Sequence, residues 1–178
     1  LGFMFNFTIG GLTGLFCAAL AVDVHLHDTY FIVAHFHYTM VGGTFFGMFA
    51  GLFYWMPKMT GKMYNETMGK VSAFLVFIGF NMTHIPQFIM GSQGMPRRYH
   101  IYDAIYSDYH VASTVGSWVL GLGFLLSMIT LAASIWKGKE AGDNPWGGTT
   151  LEWKTQSPPI HINFEEIPTV TERPYEYR

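Results

Sequence analysis

Charge is what this sequence has least of: 12% of its residues are Asp, Glu, Lys or Arg, about half of the ~25% usual in soluble domains. The small net charge of −2 removes the electrostatic case for a nucleic-acid partner. Cysteine is nearly missing as well. The one thiol, Cys17, lies inside an apolar run, which excludes an internal disulfide and any site built on paired thiolates. No internal repeat or low-complexity tract appears, and no basic segment precedes the apolar opening Leu1–Val22, so the start does not read as a signal peptide.

What the sequence has instead is apolar length. Four runs carry no Asp, Glu, Lys or Arg: residues 1–22, 29–56, 71–96 and 109–136. A helix needs only about 20 such residues to cross the hydrocarbon core. The expected fold is therefore an all-α integral membrane protein with four transmembrane helices over residues 1–136. The remainder, 137–178, is polar and rich in Pro, Gly and Trp without regular periodicity, and reads as an extended C-terminal tail laid on partners. Connections are expected at 23–28, 57–70 and 97–108. Gly10, Gly11 and Gly14 in the first run, and Gly43, Gly47 and Gly51 at four-residue steps in the second, read as close-packing positions. Pro86 should kink the third run, and His84 just before it reads as structural.

Orientation follows from the lysines. Lys58, Lys62 and Lys70 in the second connection and Lys137 and Lys139 at the start of the tail put those segments on the cytoplasmic or matrix side. The first connection, with Asp23, His25, His27 and Asp28, then faces outward. Arg97 and Arg98 fall on the outer side too, against the rule, and two anionic groups at that depth would account for them. His25, His100 and His110 read as interfacial residues.

The stretch His27-Asp28-Thr29-Tyr30-Phe31-Ile32-Val33-Ala34-His35-Phe36-His37 concentrates the chemistry. Two positions apart is about 200° around a helix, so His35 and His37 leave opposite faces and each can ligate a different centre. Imidazole is a common ligand of haem iron, and such rings cost several kcal/mol in lipid without a partner. His27 beside Asp28 suits a divalent cation, although a His-Asp pair at a helix start is more often a cap and a surface charge.

These residues resemble the tenth-helix signature of subunit I of the haem-copper terminal oxidases, in its cytochrome c oxidase branch. The similarity continues through W-M-P-K-M-T-G, N-E-T, P-Q-F and G-M-P-R-R-Y and corresponds to the last third of such a subunit, helices nine to twelve of a twelve-helix bundle. The resemblance implies that His35 is the proximal ligand of the high-spin haem and His37 an axial ligand of the low-spin haem, with Phe36 as a route for electrons between them. It implies that Arg97 and Arg98 hold haem propionates, that His27 and Asp28 belong to a magnesium-type site shared with subunit II, and that Tyr30 lies in the same polar layer. The implied cofactors are two haems of haem A type, copper with ligands outside this chain, and magnesium or a similar cation. The implied partners are the rest of subunit I, subunit II with its copper centre, subunit III, cytochrome c, O2 and membrane lipid.

The implied activity is proton-translocating cytochrome c oxidase: four-electron reduction of O2 to water, carried out only together with the missing parts. An intact H-D-T-Y followed by H-F-H-Y favours cytochrome c over quinol as donor. A quinol oxidase, a nitric oxide reductase and a non-catalytic di-haem carrier are the alternatives. The last places its paired ligands further apart on a helix. The segment Asp143–Trp153, D-N-P-W-G-G-T-T-L-E-W, resembles bacterial members, which points to a bacterial plasma membrane rather than the mitochondrial inner membrane.

Overall fold

A computed structural model of the chain describes residues 1–171; the end of the expected tail, residues 172–178, lies outside the described residues. The fold is mainly helical. In order come α1 (Gly2–Ala18), α2 (Leu20–Leu26), α3 (Tyr30–Met40), a π-helical segment Val41–Phe45, α4 (Phe46–Thr60), strand β1 (Lys62–Met63), α5 (Glu66–Ser92), α6 (Ser107–Lys137) and strand β2 (Lys139–Glu140). Short 3-10 turns precede α6 at Ala104–Tyr106 and stand in the tail at Leu151–Trp153.

By length and apolar composition two segments can cross a membrane, α5 and the stretch Ala104–Lys137; α1 with α2 makes a third if that bent pair is one span. The expected first span runs straight to Val22, but the helix stops at Ala18 and the chain turns through 102° into α2. Ala19 leaves the helical region at ψ 105°, and its N–H still donates to the Leu15 carbonyl at 3.1 Å while its own carbonyl accepts from Asp23 at 2.8 Å. Ala, Leu and Val on both sides carry no punctuation, so the apolar run hides the bend. The expected second span keeps helical backbone from Tyr30 to Thr60, divided among α3, the π-helical segment and α4. The expected third span, α5, runs on past Pro86.

The described chain forms two compact units. The first comprises Leu1–Ala50 and Val71–Leu125. Its helices approach closely where glycine removes the side chain. A Cβ at Gly10 would meet Thr39 N at 2.9 Å, and one at Gly79 would meet Leu120 N at 2.3 Å. Ala34, Tyr38, Phe80 and Met90 are buried in this unit. Gly43 faces Phe7 of α1, so that glycine serves packing, as expected. Leu12 and Leu15 on α1, and Trp118 and Leu122 on α6, are exposed, apolar faces that require lipid or further helices beside them.

The second unit comprises, among the described residues, 51–70 and 126–171. Strands β1 and β2 pair antiparallel, Lys62 with Glu140 and Met63 with Lys139. Trp153 is buried and donates its indole N–H to the Tyr54 hydroxyl at 2.8 Å; Trp146 donates to the Tyr54 carbonyl at 2.9 Å. The buried Lys58 ammonium donates to the carbonyls of Thr155 at 2.6 Å, Asp143 at 2.9 Å and Gln156 at 3.4 Å. Burial pulls the Lys58 ammonium below its ordinary range, and the Asp143 and Glu152 carboxylates oppose that. A segment with almost no regular structure is thus fastened to the chain's own α4.

Candidate functional site

Both motif histidines lie on α3, which begins where Thr29 caps it. The Thr29 hydroxyl accepts the Phe31 N–H at 3.2 Å and donates to the Leu26 carbonyl at 2.7 Å. His35 turns toward α1. Its Nδ1 lies 3.0 Å from the Gly10 carbonyl and 3.1 Å from the Thr13 hydroxyl, and a Cβ at Gly14 would come within 3.0 Å of its Cε1. A carbonyl only accepts, so Nδ1 carries the proton and Nε2 keeps its lone pair.

His37 repeats the arrangement in a different setting. Its Nδ1 lies 2.8 Å from the Val33 carbonyl, one turn back, and Nε2 is again the atom left with a lone pair. The Phe36 ring lies 4.7 Å from the His37 ring, inclined by 29°; the ring of His84, on α5, lies 4.6 Å away, inclined by 30°. One imidazole is thus held from α1 and the other from α5. Their neighbours stand on different helices.

Five residues here were not singled out by the sequence as site residues. Thr13 orients His35, and His84 stacks on His37. Next to them, Tyr38 donates to Asn81 Oδ1 at 2.7 Å, and the Asn81 amide reaches Asn6 Oδ1 at 3.3 Å, all three side chains being buried. The signal available was polarity inside apolar runs.

The residues expected on the outer side form a clasp. Tyr30 N–H donates to the Met95 carbonyl at 3.0 Å, Arg97 N–H donates to the Asp28 carbonyl at 2.9 Å, and Thr29 pairs with Pro96 as an isolated antiparallel bridge. Asp28 and Arg98 both have positive φ, 56° and 69°, an uncommon conformation for residues other than glycine. Arg97 Nε and Nη2 both reach Asp28 Oδ1, at 2.7 and 2.5 Å. That bond, with Arg97, His27 and Arg98 as nearby positive groups, holds the Asp28 carboxyl below its ordinary value. His27 Nε2 stands 3.5 Å from Asp28 Oδ2, and its Nδ1 3.7 Å from Asp23 Oδ2. Arg98 is exposed. The Tyr30 ring packs edge-on against His110, 5.3 Å away, which lies 4.0 Å from Tyr102. Among the described residues no three His, Cys, Asp or Glu groups are placed to hold one metal ion.

Comparison with known proteins bears on this arrangement. Residues 1–142 match the family described as cytochrome c and quinol oxidase polypeptide I. The chain belongs to that family. It is 46% identical over 177 residues to a protein named cytochrome c oxidase subunit 1 from Thermostichus vulcanus, covering 99% of this chain and 32% of the relative. Proteins of the same name from a Synechocystis species and from Bacillus subtilis are 46% and 43% identical over 176 and 171 residues. The chain spans about a third of the length of the relatives it matches. Its fold is similar to part of a heme-copper terminal oxidase dimer solved by cryo-electron microscopy, with TM-score 0.70 and 24% identity, over 78% of this chain and 26% of that one.

Proposed function

We propose that this chain supplies haem-ligand residues to the catalytic subunit of a cytochrome c oxidase, as four transmembrane helices of a twelve-helix bundle. The observation that carries the reading is the state of the two imidazoles. His35 and His37 each spend Nδ1 on a backbone carbonyl, the arrangement usual for metal-ligating histidine, which fixes the tautomer and raises the basicity of Nε2. Both rings are partly open rather than fully enclosed, so the donor set fits an iron on each side of α3. His35 is assigned to the high-spin haem and His37 to the low-spin haem.

When bound, the two haems, of haem A type, supply one-electron couples, and with copper held outside this chain they supply the centre where O2 is reduced to water. The chain's own residues do the positioning. Thr13 and the Gly10 carbonyl hold His35; Val33 and the ring of Phe36 hold His37, with Phe36 as the short route between the ligands. The Arg97–Asp28 bond uses one carboxylate oxygen and two of the five guanidinium N–H directions. The remainder of that fork and the exposed Arg98 are available to haem propionates, for which paired guanidinium groups are well shaped. His27 and Asp28 contribute two donors to a magnesium-type site that subunit II would complete.

Electrons come from cytochrome c through subunit II, and the reaction is coupled to proton translocation in a bacterial plasma membrane, with subunit III and lipid at the periphery. Cytochrome c is favoured over quinol by the intact H-D-T-Y, whose Asp28 is engaged with Arg97. The test is the complete complex carrying His37→Ala or His35→Ala in this chain, examined by absorption spectroscopy. The first should lose the low-spin haem signal and the second the high-spin one. Retention of both signals in either variant would overturn the assignment.

A further inference from the structure

Resting on the reading of His37 as the low-spin ligand, we propose that His84 is a positioning residue for that ligand, setting the rotation of the His37 ring from a helix that supplies no ligand itself. The rings of His84 and His37 lie 4.6 Å apart and within 30° of parallel. An axial imidazole bonded through Nε2 keeps one soft freedom, rotation about its bond to iron. The Nδ1 bond to Val33 limits that rotation along the ring edge, and a ring lying against the face limits it further.

His84 is well placed to act as a stop because its own position is over-determined. It is 4% exposed. Its Nδ1 lies 2.9 Å from the Phe80 carbonyl, and its ring lies 4.4 Å from Phe80 and 6.2 Å from Tyr38. The turn that carries it is clamped from α6: Ser113 donates to the Thr83 carbonyl at 2.8 Å, and a Cβ at Gly116 would meet Thr83 N at 2.5 Å. With no side chain at 116, α6 lies against the Met82–Thr83 backbone and holds the turn that carries His84.

Ligand orientation reads out in the haem itself, because the low-spin ferric EPR spectrum depends on the axial ring planes and the potential on how the ligand is held. The experiment uses the complete oxidase with His84→Ala and His84→Phe. Phe keeps a flat ring against His37 and loses the bond to Phe80; Ala loses both. We expect His84→Phe to keep the parental low-spin EPR signal. His84→Ala should shift or lose that signal, and where the haem is retained change its reduction equilibrium at least threefold, about 30 mV for one electron. Equal behaviour of the two variants, changed or unchanged, overturns the proposal, as does a change confined to Phe. A parental complex with no low-spin haem would instead defeat the ligand assignment on which this rests.

Discussion

Gly91 offers the most direct test of how the clasp between Asp28–Tyr30 and Met95–Arg97 is held. It lies on α5 near its C-terminal end, and a Cβ added there would stand 1.9 Å from the Phe31 amide nitrogen and 2.7 Å from both Phe31 Cα and the Tyr30 carbonyl carbon. These are backbone atoms at the first turn of α3, which cannot swing aside as a side chain can. Ordinary contact needs about 3.5 Å, so Gly91→Ala must part the two segments by about 1.5 Å. The clasp bonds Tyr30 N–H to Met95 and Arg97 N–H to Asp28, now 3.0 and 2.9 Å, would then exceed the ~3.2 Å limit of a good N–H···O bond. Two lost bonds at about 1 kcal/mol each and about 1–3 kcal/mol of overpacking stand against a gain of about 1 kcal/mol in helix propensity. The net cost is about 2–4 kcal/mol. The assay is thermal unfolding of the purified complex, with Gly121→Ala, where nothing lies within 4 Å of the added Cβ, as the matched control. A Gly91→Ala complex that melts with the parent would refute the close approach of α3 and α5.

Asp28 gives a pH dependence of known sign. Its folded value is lowered, mainly by the Arg97 bond, so the stability it adds is complete above the unfolded Asp value of about 3.9 and is lost as pH falls through the lower folded one. Asp28→Asn should flatten the acid limb of an unfolding titration in that window, and an unaltered limb would remove the pair from the account. Lys58→Met leaves three carbonyls in the second unit without their donor, at about 1–3 kcal/mol. Cleavage of the 143–156 segment under limited proteolysis should therefore speed up by about fivefold or more, taking 1.4 kcal/mol per decade, whereas parental resistance would mean that Lys58 is not the fastening.

Part of the candidate site's geometry was legible because a two-residue histidine spacing within an apolar run has few physical solutions. The opposite exits of His35 and His37 follow from helix geometry, and their separate neighbours, Thr13 and His84, agree with it. Harder to read was the bend at Ala19, because apolarity is continuous across it and the broken backbone bonds are made good within the helix ends. The tail was also hard to read. Lys58 appears in sequence as one of several orienting lysines, and only long-range contacts with Asp143 and Thr155 reveal that its charge is buried. Arg97 was expected among propionates, yet its closest partner in this chain is Asp28, a pairing across 69 positions that no local pattern encodes.

These cases share a cause. A helix can declare which side chains it offers, since spacing along one segment sets their directions, but it cannot declare what holds them still. His35 is steadied by α1 through a hydroxyl and a carbonyl, and His37 by its own helix and by a ring from α5. In both, the steadying atoms come from residues with ordinary roles elsewhere: a threonine, a glycine carbonyl, a histidine ahead of a proline. On the proposed haem reading, substitutions on α1 and α5 should therefore alter how firmly a ligand is aimed before they alter whether it is present, and substitutions of His35 or His37 on α3 should do the reverse. The two classes separate by spectroscopy, as changed line shape at constant haem content for the first and loss of one haem for the second.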